Sequence, residues 1–402
     1  MSVNQTRACG TCIYYPAMQS DVSNRHPQIG PIRTIGLDTS FLDRPPSGIG
    51  AYVSALSRWI PLVAPDVELV ELRPDPSGWL NRLGERGSRF AWEFGAAGAN
   101  ARRAKLDLLH MPMMAVPIAT RVPVITTIHD VIPYVMPEYR SSRAQQINLA
   151  VARRMVRRAA AVITPSMHAA GDVEAIFGIS RDRIWVTHEA ADERYVPQSD
   201  RTIIQSVLDR FGICGPYVFN IGGVDVRKNL PVLLRSFREL LPDLPDSVQL
   251  VIGGAPHSAN PTVFPPLEPV IRELGLESRV VLTGRISEDD KLALMQGAAV
   301  YVTPSLYEGF GLSVLEAMGC GVPVIAANRT SFPEIVGDAG LLVEPRIEPL
   351  ATAMRSALTD ADLARSLSAR GLARAGEFSW RRTGEQTVAV YEHVLREQGR
   401  NV

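Results

Sequence analysis

Lysine is scarce in this chain. Among 402 residues and 42 basic side chains, only Lys105, Lys228 and Lys291 are lysines, and arginine supplies the other 39. Arginine is a planar fork and lysine a compact point charge, so each lysine marks a position worth examining. An excess of either charge is absent as well. The 42 basic and 42 acidic residues cancel to a formal net charge of zero, which removes any global electrostatic case for a nucleic-acid partner. Four cysteines cannot staple a chain of this length and fit a reducing compartment. No apolar run reaches the roughly 18 residues of a membrane span, and the opening MSVNQTRACG lacks the apolar stretch of a secretory signal. The expectation is a soluble cytoplasmic protein.

Cys9 and Cys12, in CGTC, have the spacing of half a metal or redox site. A zinc site needs about four ligands, and Cys214 and Cys320 stand alone and far away. Residues 1–32 are polar and weakly patterned, so a flexible tail is expected there and a metal is not.

With 46% hydrophobic and 21% charged residues, the chain suits two globular domains. Strand-like runs occur at RTIGLDTSF (33–41), VELVEL (67–72), LDLLHM (106–111), PVITTIHD (123–130), AAVITPS (160–166) and RIWVTHE (183–189). After the polar ADERYVPQSDR (191–201) a second series begins: YVFNIGG (217–223), VQLVIGG (248–254), VVLTGR (280–285), AVYVTPS (299–305), VPVIAA (322–327) and GLLVEP (340–345). Near-continuous Val/Ile/Leu runs alternating with helix-prone stretches predict parallel strands buried on both faces. Two such series predict two doubly wound α/β domains, at 33–200 and 201–378, with a closing helix over 379–402 that packs back toward the first. Ligands in such sheets sit outside the carboxyl ends of the strands, and most of the unusual polar residues fall there.

The most informative segment is PSLYEGFGLSVLEAMGCGVPVIA, residues 304–326. A strand ends at Glu308, a turn through Gly309, Phe310 and Gly311 follows, and a helix is predicted from Leu312. Glycines admit a ligand close to the backbone, and the first turn of a helix presents unpaired N–H groups and a positive dipole end. This places a phosphate near Gly311, Leu312, Ser313 and Val314. Glu308 then points into the cleft and Glu316 lies about one turn inward. Carboxylates repel phosphate, so their expected partners are hydroxyls, one set on a sugar and one on a ribose. Cations come from NIGGVDVRKNLPVLLRSF (220–237), where Gly222 and Gly223 precede Arg227 and Lys228 at a helix start. Cations are disfavoured there, which predicts an external anion as their partner.

EGFGLSVLE resembles the Glu-x7-Glu motif of the large retaining glycosyltransferase family called family 4 or group 1, which includes bacterial mannosyltransferases and sucrose synthase. SGIGAYVSAL (47–56), TIHDVIPYVMPEYR (127–140), VITPSMHAAGDV (162–173), GGVDVRKNL and FPEIVGDAGLLVEP (332–345) are similar to other signatures of that family. The likeness runs from about residue 33 to about 397. It implies a GT-B fold, two Rossmann-like domains facing a central cleft, with the acceptor on the first and the nucleotide-sugar donor on the second. Many members carry Gly-Arg where this chain has Gly222-Gly223, so Arg227 and Lys228 are the expected diphosphate cations. By matching position, Glu308 contacts sugar hydroxyls and Glu316 ribose hydroxyls. Gly311 to Ser313 hold the diphosphate with their backbone N–H groups, Gly309 and Phe310 belong to the same donor-binding turn, and Gly48 and Gly50 bring the amino-terminal loop close to it. His129 faces the sugar from the opposite domain; Asp130 orients its loop, and His110 is a secondary candidate at a similar strand end.

The resemblance implies transfer with retention of configuration, the departing diphosphate taking the acceptor's proton, with no metal and no other cofactor. Asp360-x-Asp362 has the spacing of a metal motif but lies in LTDADLARSL, which reads as a helix cap. GDP-mannose is the leading donor, and a saccharide or lipid-linked saccharide the acceptor. Rivals are a sugar-nucleotide epimerase of the same fold and a non-catalytic nucleotide-sugar-binding protein. A dinucleotide dehydrogenase is excluded for want of Gly-x-Gly-x-x-Gly after a strand. Residues 86–158 hold twelve basic and four acidic residues, and Arg153, Arg154, Arg157 and Arg158 are spaced to share a helical stripe. This suggests peripheral contact with an anionic membrane.

Overall fold

Each of the twelve strand-like runs forms a strand, in a computed structural model that describes residues 33–399 apart from 45–46, 76–77, 141 and 257. The CGTC segment lies outside the described residues. The first sheet holds β1 (Arg33–Asp38), β2 (Val67–Leu72), β3 (Leu108–Met111), β4 (Val124–Thr127), β5 (Ala161–Thr164) and β6 (Ile184–Val186). The second holds β7 (Tyr217–Ile221), β8 (Gln249–Gly253), β9 (Val280–Gly284), β10 (Val300–Thr303), β11 (Val324–Ala327) and β12 (Leu341–Val343). All neighbours pair in parallel.

The orders are β2-β1-β3-β4-β5-β6 and β12-β11-β10-β7-β8-β9. The chain therefore reverses direction across the first sheet between β1 and β3, and across the second between β7 and β10. Crevices for ligands open at such reversals. The central strands LLHM, VITT, AVIT and VYVT are buried along their whole length, as strands covered by helices on both faces must be. Alternate residues feed opposite faces: Leu109 and Met111 enter one core, Leu108 the other with Ile35, Ile125 and Ile163.

Short polar side chains start the helices. Ser47 accepts from Gly50 N at the helix Gly48–Val63, Ser166 from Ala169 N at Met167–Phe177, and Ser379 from Arg382 N at Trp380–Glu397. Asp360 accepts from the N–H groups of Asp362 and Leu363, so the Asp-x-Asp spacing is a helix cap. The closing helix Trp380–Glu397 returns to the first sheet. Its Trp380, Tyr391, Val394 and Leu395 pack with Tyr52, Leu56 and Ile60 of Gly48–Val63.

Candidate active site

The carboxyl ends of both sheets face one cleft of about 780 Å³, within the roughly 300–1,000 Å³ of small-molecule sites. Its first wall carries Gly48, Gly50, His129, Asp130 and Glu189; its second carries Gly222, Gly223, Lys228, Lys291, Glu308 and Glu316, with the turn Gly309–Ser313 between them. Two helices begin here, Gly48–Val63 and Leu312–Gly319, and Gly48 and the Leu312 side chain nearly touch. Two positive helix ends thus converge on the same space.

The turn at Glu308 is fixed from every side. Glu308 N donates to Thr330 Oγ1 (3.1 Å), while Ser331 Oγ donates to the carbonyls of Glu308 (3.1 Å) and Phe310 (2.7 Å). Across the cleft Ser166 Oγ donates to the Gly309 carbonyl at 2.7 Å. Position 309 tolerates no side chain, since a Cβ would lie 1.8 Å from the His129 carbonyl oxygen. Phe310 is buried beside His188 and Phe378 and anchors the turn. Further links join the two lobes: Tyr139 OH donates to Asp225 (2.7 Å), Tyr307 OH to Asp172 (2.5 Å), and Met167 N and His188 to Glu334.

Arg227 and Lys228 meet at Glu308. Arg227 Nη1 is 2.5 Å from Oε2 and Lys228 Nζ is 2.9 Å from Oε1, while Arg227 also pairs with Asp225 at 3.4 Å. An external anion was the expected partner of these cations; in the ligand-free chain two of its own carboxylates, Glu308 and Asp225, balance them. Burial alone would raise the Glu308 carboxyl, but the Arg227 and Lys228 charges outweigh it and hold it down at about 2. Glu308 is therefore a carboxylate at any working pH. The lysine also needs the glycine at 222, where a Cβ would come within 2.7 Å of Nζ.

Glu316 is buried, and its Oε1 accepts from Lys291 Nζ at 2.7 Å. Its Oε2 is buried without a hydrogen-bond partner. Burial raises this carboxyl above the ordinary range against the pull of Lys291. Lys291 went unassigned in the sequence reading, although its rarity was the signal: two of the chain's three lysines pair with Glu308 and Glu316.

His129 lies on the cleft wall, but both ring nitrogens are engaged. Nδ1 meets Glu189 Oε1 at 2.7 Å and Nε2 the Pro112 carbonyl at 3.1 Å. Both partners are acceptors, so the ring carries both protons as an imidazolium. Burial opposes that charge, and the Glu189 bond and charge, Asp130 and the Pro112 carbonyl outweigh it, raising the pKa. His129 still lines the cleft from the first wall, and its backbone carbonyl is what meets the turn. Asp130 Oδ1 accepts from Ile132 N at 3.1 Å, a bond within its own loop. Glu189, buried in the segment just after β6, was missed, although "RIWVTHE" ends on it as other strand-like runs end on site residues.

His110 is not at the cleft. It is wholly buried, with hydroxyls of Tyr391 and Thr127 at 2.7 and 2.8 Å on its two nitrogens. Burial and the nearby His129 charge push its pKa down to about 3, so it is a neutral core residue. The arginine stripe is also shorter than expected. The helix Arg143–Val156 carries Arg153 and Arg154, but Arg157 and Arg158 follow its end and donate to the carbonyls of Phe177 and Ile118.

Comparison with known proteins agrees with this geometry. Residues 48–194 match the family described as Glycosyltransferase Family 4, and residues 215–374 the family described as Glycosyl transferases group 1. O-antigen chain mannosyltransferase B of Escherichia coli is 31% identical over 270 residues, 67% of this chain and 70% of that protein. The serotype-specific mannosyltransferase WbdA of Escherichia coli is 29% identical over 242 residues, 60% of this chain but only 29% of that longer protein. Sucrose-phosphate synthase from Thermosynechococcus elongatus superposes with a TM-score of 0.70 at 20% identity, covering 91% of this chain and 100% of that one. Anabaena Alr3699/HepE in complex with UDP and glucose gives 0.69 at 20% identity, covering 90% and 99%. The fold is GT-B, and the chain belongs to the group 1 glycosyl transferases, with the family 4 amino-terminal domain.

Proposed function

We propose that this cleft moves a hexose, mannose in the first instance, from a nucleoside diphosphate sugar to a hydroxyl of a saccharide or lipid-linked saccharide, with retention of configuration and without a metal. The observation that carries the reading is the Arg227–Lys228–Glu308 cluster at the β7/β10 reversal, facing two helix N-termini. The mannosyltransferase names of the relatives favour mannose and polysaccharide synthesis, and GDP-mannose as donor.

In this reading the diphosphate sits on the N–H groups of the first turn of Leu312–Gly319, with Lys228 and Arg227 beside it. Glu308, held as a carboxylate, exchanges part of its pairing with them for sugar hydroxyls. Glu316 receives a ribose hydroxyl on its unpartnered Oε2. As the bond from the sugar's anomeric carbon to the diphosphate oxygen breaks, charge grows on the diphosphate, where fixed cations and helix dipoles stabilise it. The acceptor oxygen bonds that carbon on the face being vacated, and its proton passes to the departing diphosphate. The His129 carbonyl and imidazolium form the opposing wall.

Among the described residues no helix is long and apolar enough to cross a membrane. Peripheral attachment to an anionic lipid surface, through exposed Arg153 and Arg154 and the exposed Ile147 on the same helix, is part of the proposal.

Incubation with sugar nucleotides, with and without acceptor, tests the reading. Acceptor-dependent release of nucleoside diphosphate supports a transferase. Release without acceptor, or conversion of the donor alone, contradicts it and favours an epimerase; binding without turnover favours a non-catalytic protein.

A further inference from the structure

Lys291 occupies a place where burial works against a charge. Its Nζ is 2.7 Å from Glu316 Oε1, 3.6 Å from Glu288 Oε2 and 5.3 Å from the centre of the Tyr195 ring. It sits on the helix Glu288–Gly297, while Glu316 sits on Leu312–Gly319, so the pair bridges two helices at the cleft floor. The ammonium uses one oxygen of Glu316 and leaves the other, Oε2, buried and without a partner. An unpartnered buried acceptor calls for a donor, and a hydroxyl supplies one where a phosphate does not.

Whether Glu316 can act as a strong acceptor depends on its charge. Glu288 faces it from Lys291's helix, and Asp192 and Tyr195 from the segment after β6; Tyr301 faces it from β10 and Cys320 from the end of its own helix. Burial pushes the Tyr195 and Tyr301 hydroxyls up and the Cys320 thiol up to about 12, so these three stay neutral. Glu288 and Asp192 are acids that favour a proton on Glu316. Among these described groups Lys291 is the cation, and its charge at 2.7 Å is what opposes that proton.

We propose that Lys291 is the positioning residue that makes the donor site selective for ribose: it fixes Glu316 as a carboxylate with one oxygen reserved for a ribose hydroxyl. The proposal rests on the reading of Glu316 as the ribose contact. A hydrogen bond to an ionised acceptor is roughly twice as strong as a neutral one, so the discrimination between ribose and a sugar lacking its hydroxyls follows the charge of Glu316.

Calorimetric titration of GDP and UDP, each beside its 2′,3′-dideoxy counterpart, from about pH 6 to about pH 9, tests this. The wild-type protein is expected to prefer the ribonucleotide by about tenfold or more across the range. In Lys291→Met and Lys291→Gln the preference falls to about twofold at the acid end and recovers at the alkaline end, as Glu316 ionises unaided. Affinity for the dideoxy probe stays unchanged throughout, and Lys291→Arg retains the preference. Two results would overturn the proposal: an unchanged preference in Lys291→Met and Lys291→Gln, or an equal loss of affinity for both probes at every pH, which marks a purely structural lysine. Glu316→Gln separates this from the underlying reading. It should narrow the preference at all pH values, and if it does not, the ribose assignment of Glu316 itself fails.

Discussion

Replacing Lys228 by methionine keeps most of a buried side chain's volume and removes its charge. Lys228 is 8% exposed in its side chain, and Nζ lies 2.9 Å from Glu308 Oε1. Together with Arg227 and Asp225 these residues form a cluster of two cations and two carboxylates. Stripping a buried charge of its only partner costs about 3–5 kcal/mol. Glu308 keeps Arg227 at 2.5 Å, so the cost to folding should be a fraction of that, about 1 kcal/mol, and the protein should stay folded. Nucleotide binding suffers more. The variant loses one charge-assisted bond to the diphosphate, worth about 1.5–3 kcal/mol, and leaves the cluster with a net negative charge that repels it. The dissociation constant of GDP should rise roughly 10- to 150-fold. Glu308→Gln is the opposite perturbation: it leaves the cluster net positive, so GDP should bind at least as tightly while turnover of the sugar nucleotide falls. Calorimetry with both variants, alongside thermal melts, reads all of this. A folded Lys228→Met protein that binds GDP as the wild type does would refute the assignment of these cations to the diphosphate.

The remaining expectations concern the walls of the cleft, the metal and the membrane. Gly309→Ala places a methyl 1.8 Å from the His129 carbonyl oxygen, which only a parting of the two walls can relieve. Turnover should fall by about 100-fold or more, with GDP affinity largely kept because Lys228 lies on the second wall; wild-type kcat would show that the carbonyl contact is dispensable. Turnover should survive excess EDTA if, as proposed, Arg227 and Lys228 serve the diphosphate; loss restored by Mg²⁺ or Mn²⁺ would mean that a metal shares the work. Vesicles of phosphatidylglycerol should retain the protein at low salt and release it at high salt. Arg153→Ser with Arg154→Ser should weaken that retention while sparing transfer to a soluble acceptor; absence of binding at low salt would remove the membrane from the account.

The sheets were legible because their strands are buried on both faces, and such strands read as unbroken Val/Ile/Leu runs. The turn at Glu308 was legible because two glycines and two glutamates there had no role in a core. The site's internal partnerships were not. His110 and His129 carry the same sequence signature, a histidine closing an apolar strand. What separates them is the closing helix, whose Tyr391 reaches His110 from 281 residues away. Glu189 and Lys291 become site residues only when distant segments meet His129 and Glu316. The arginine stripe is shorter for a local reason: the helix stops at Val156, and the next two arginines spend hydrogen bonds on the carbonyls of Phe177 and Ile118.

The most direct measurement is a single reaction followed by proton NMR: protein, EDTA, a saccharide acceptor and, in turn, GDP-mannose and the UDP-, ADP- and dTDP-sugars. The account predicts that one of these donors, GDP-mannose first, releases its nucleoside diphosphate only when acceptor is present, and that the new glycosidic bond keeps the donor's anomeric configuration. An inverted product, or no acceptor-dependent release from any of them, would contradict it.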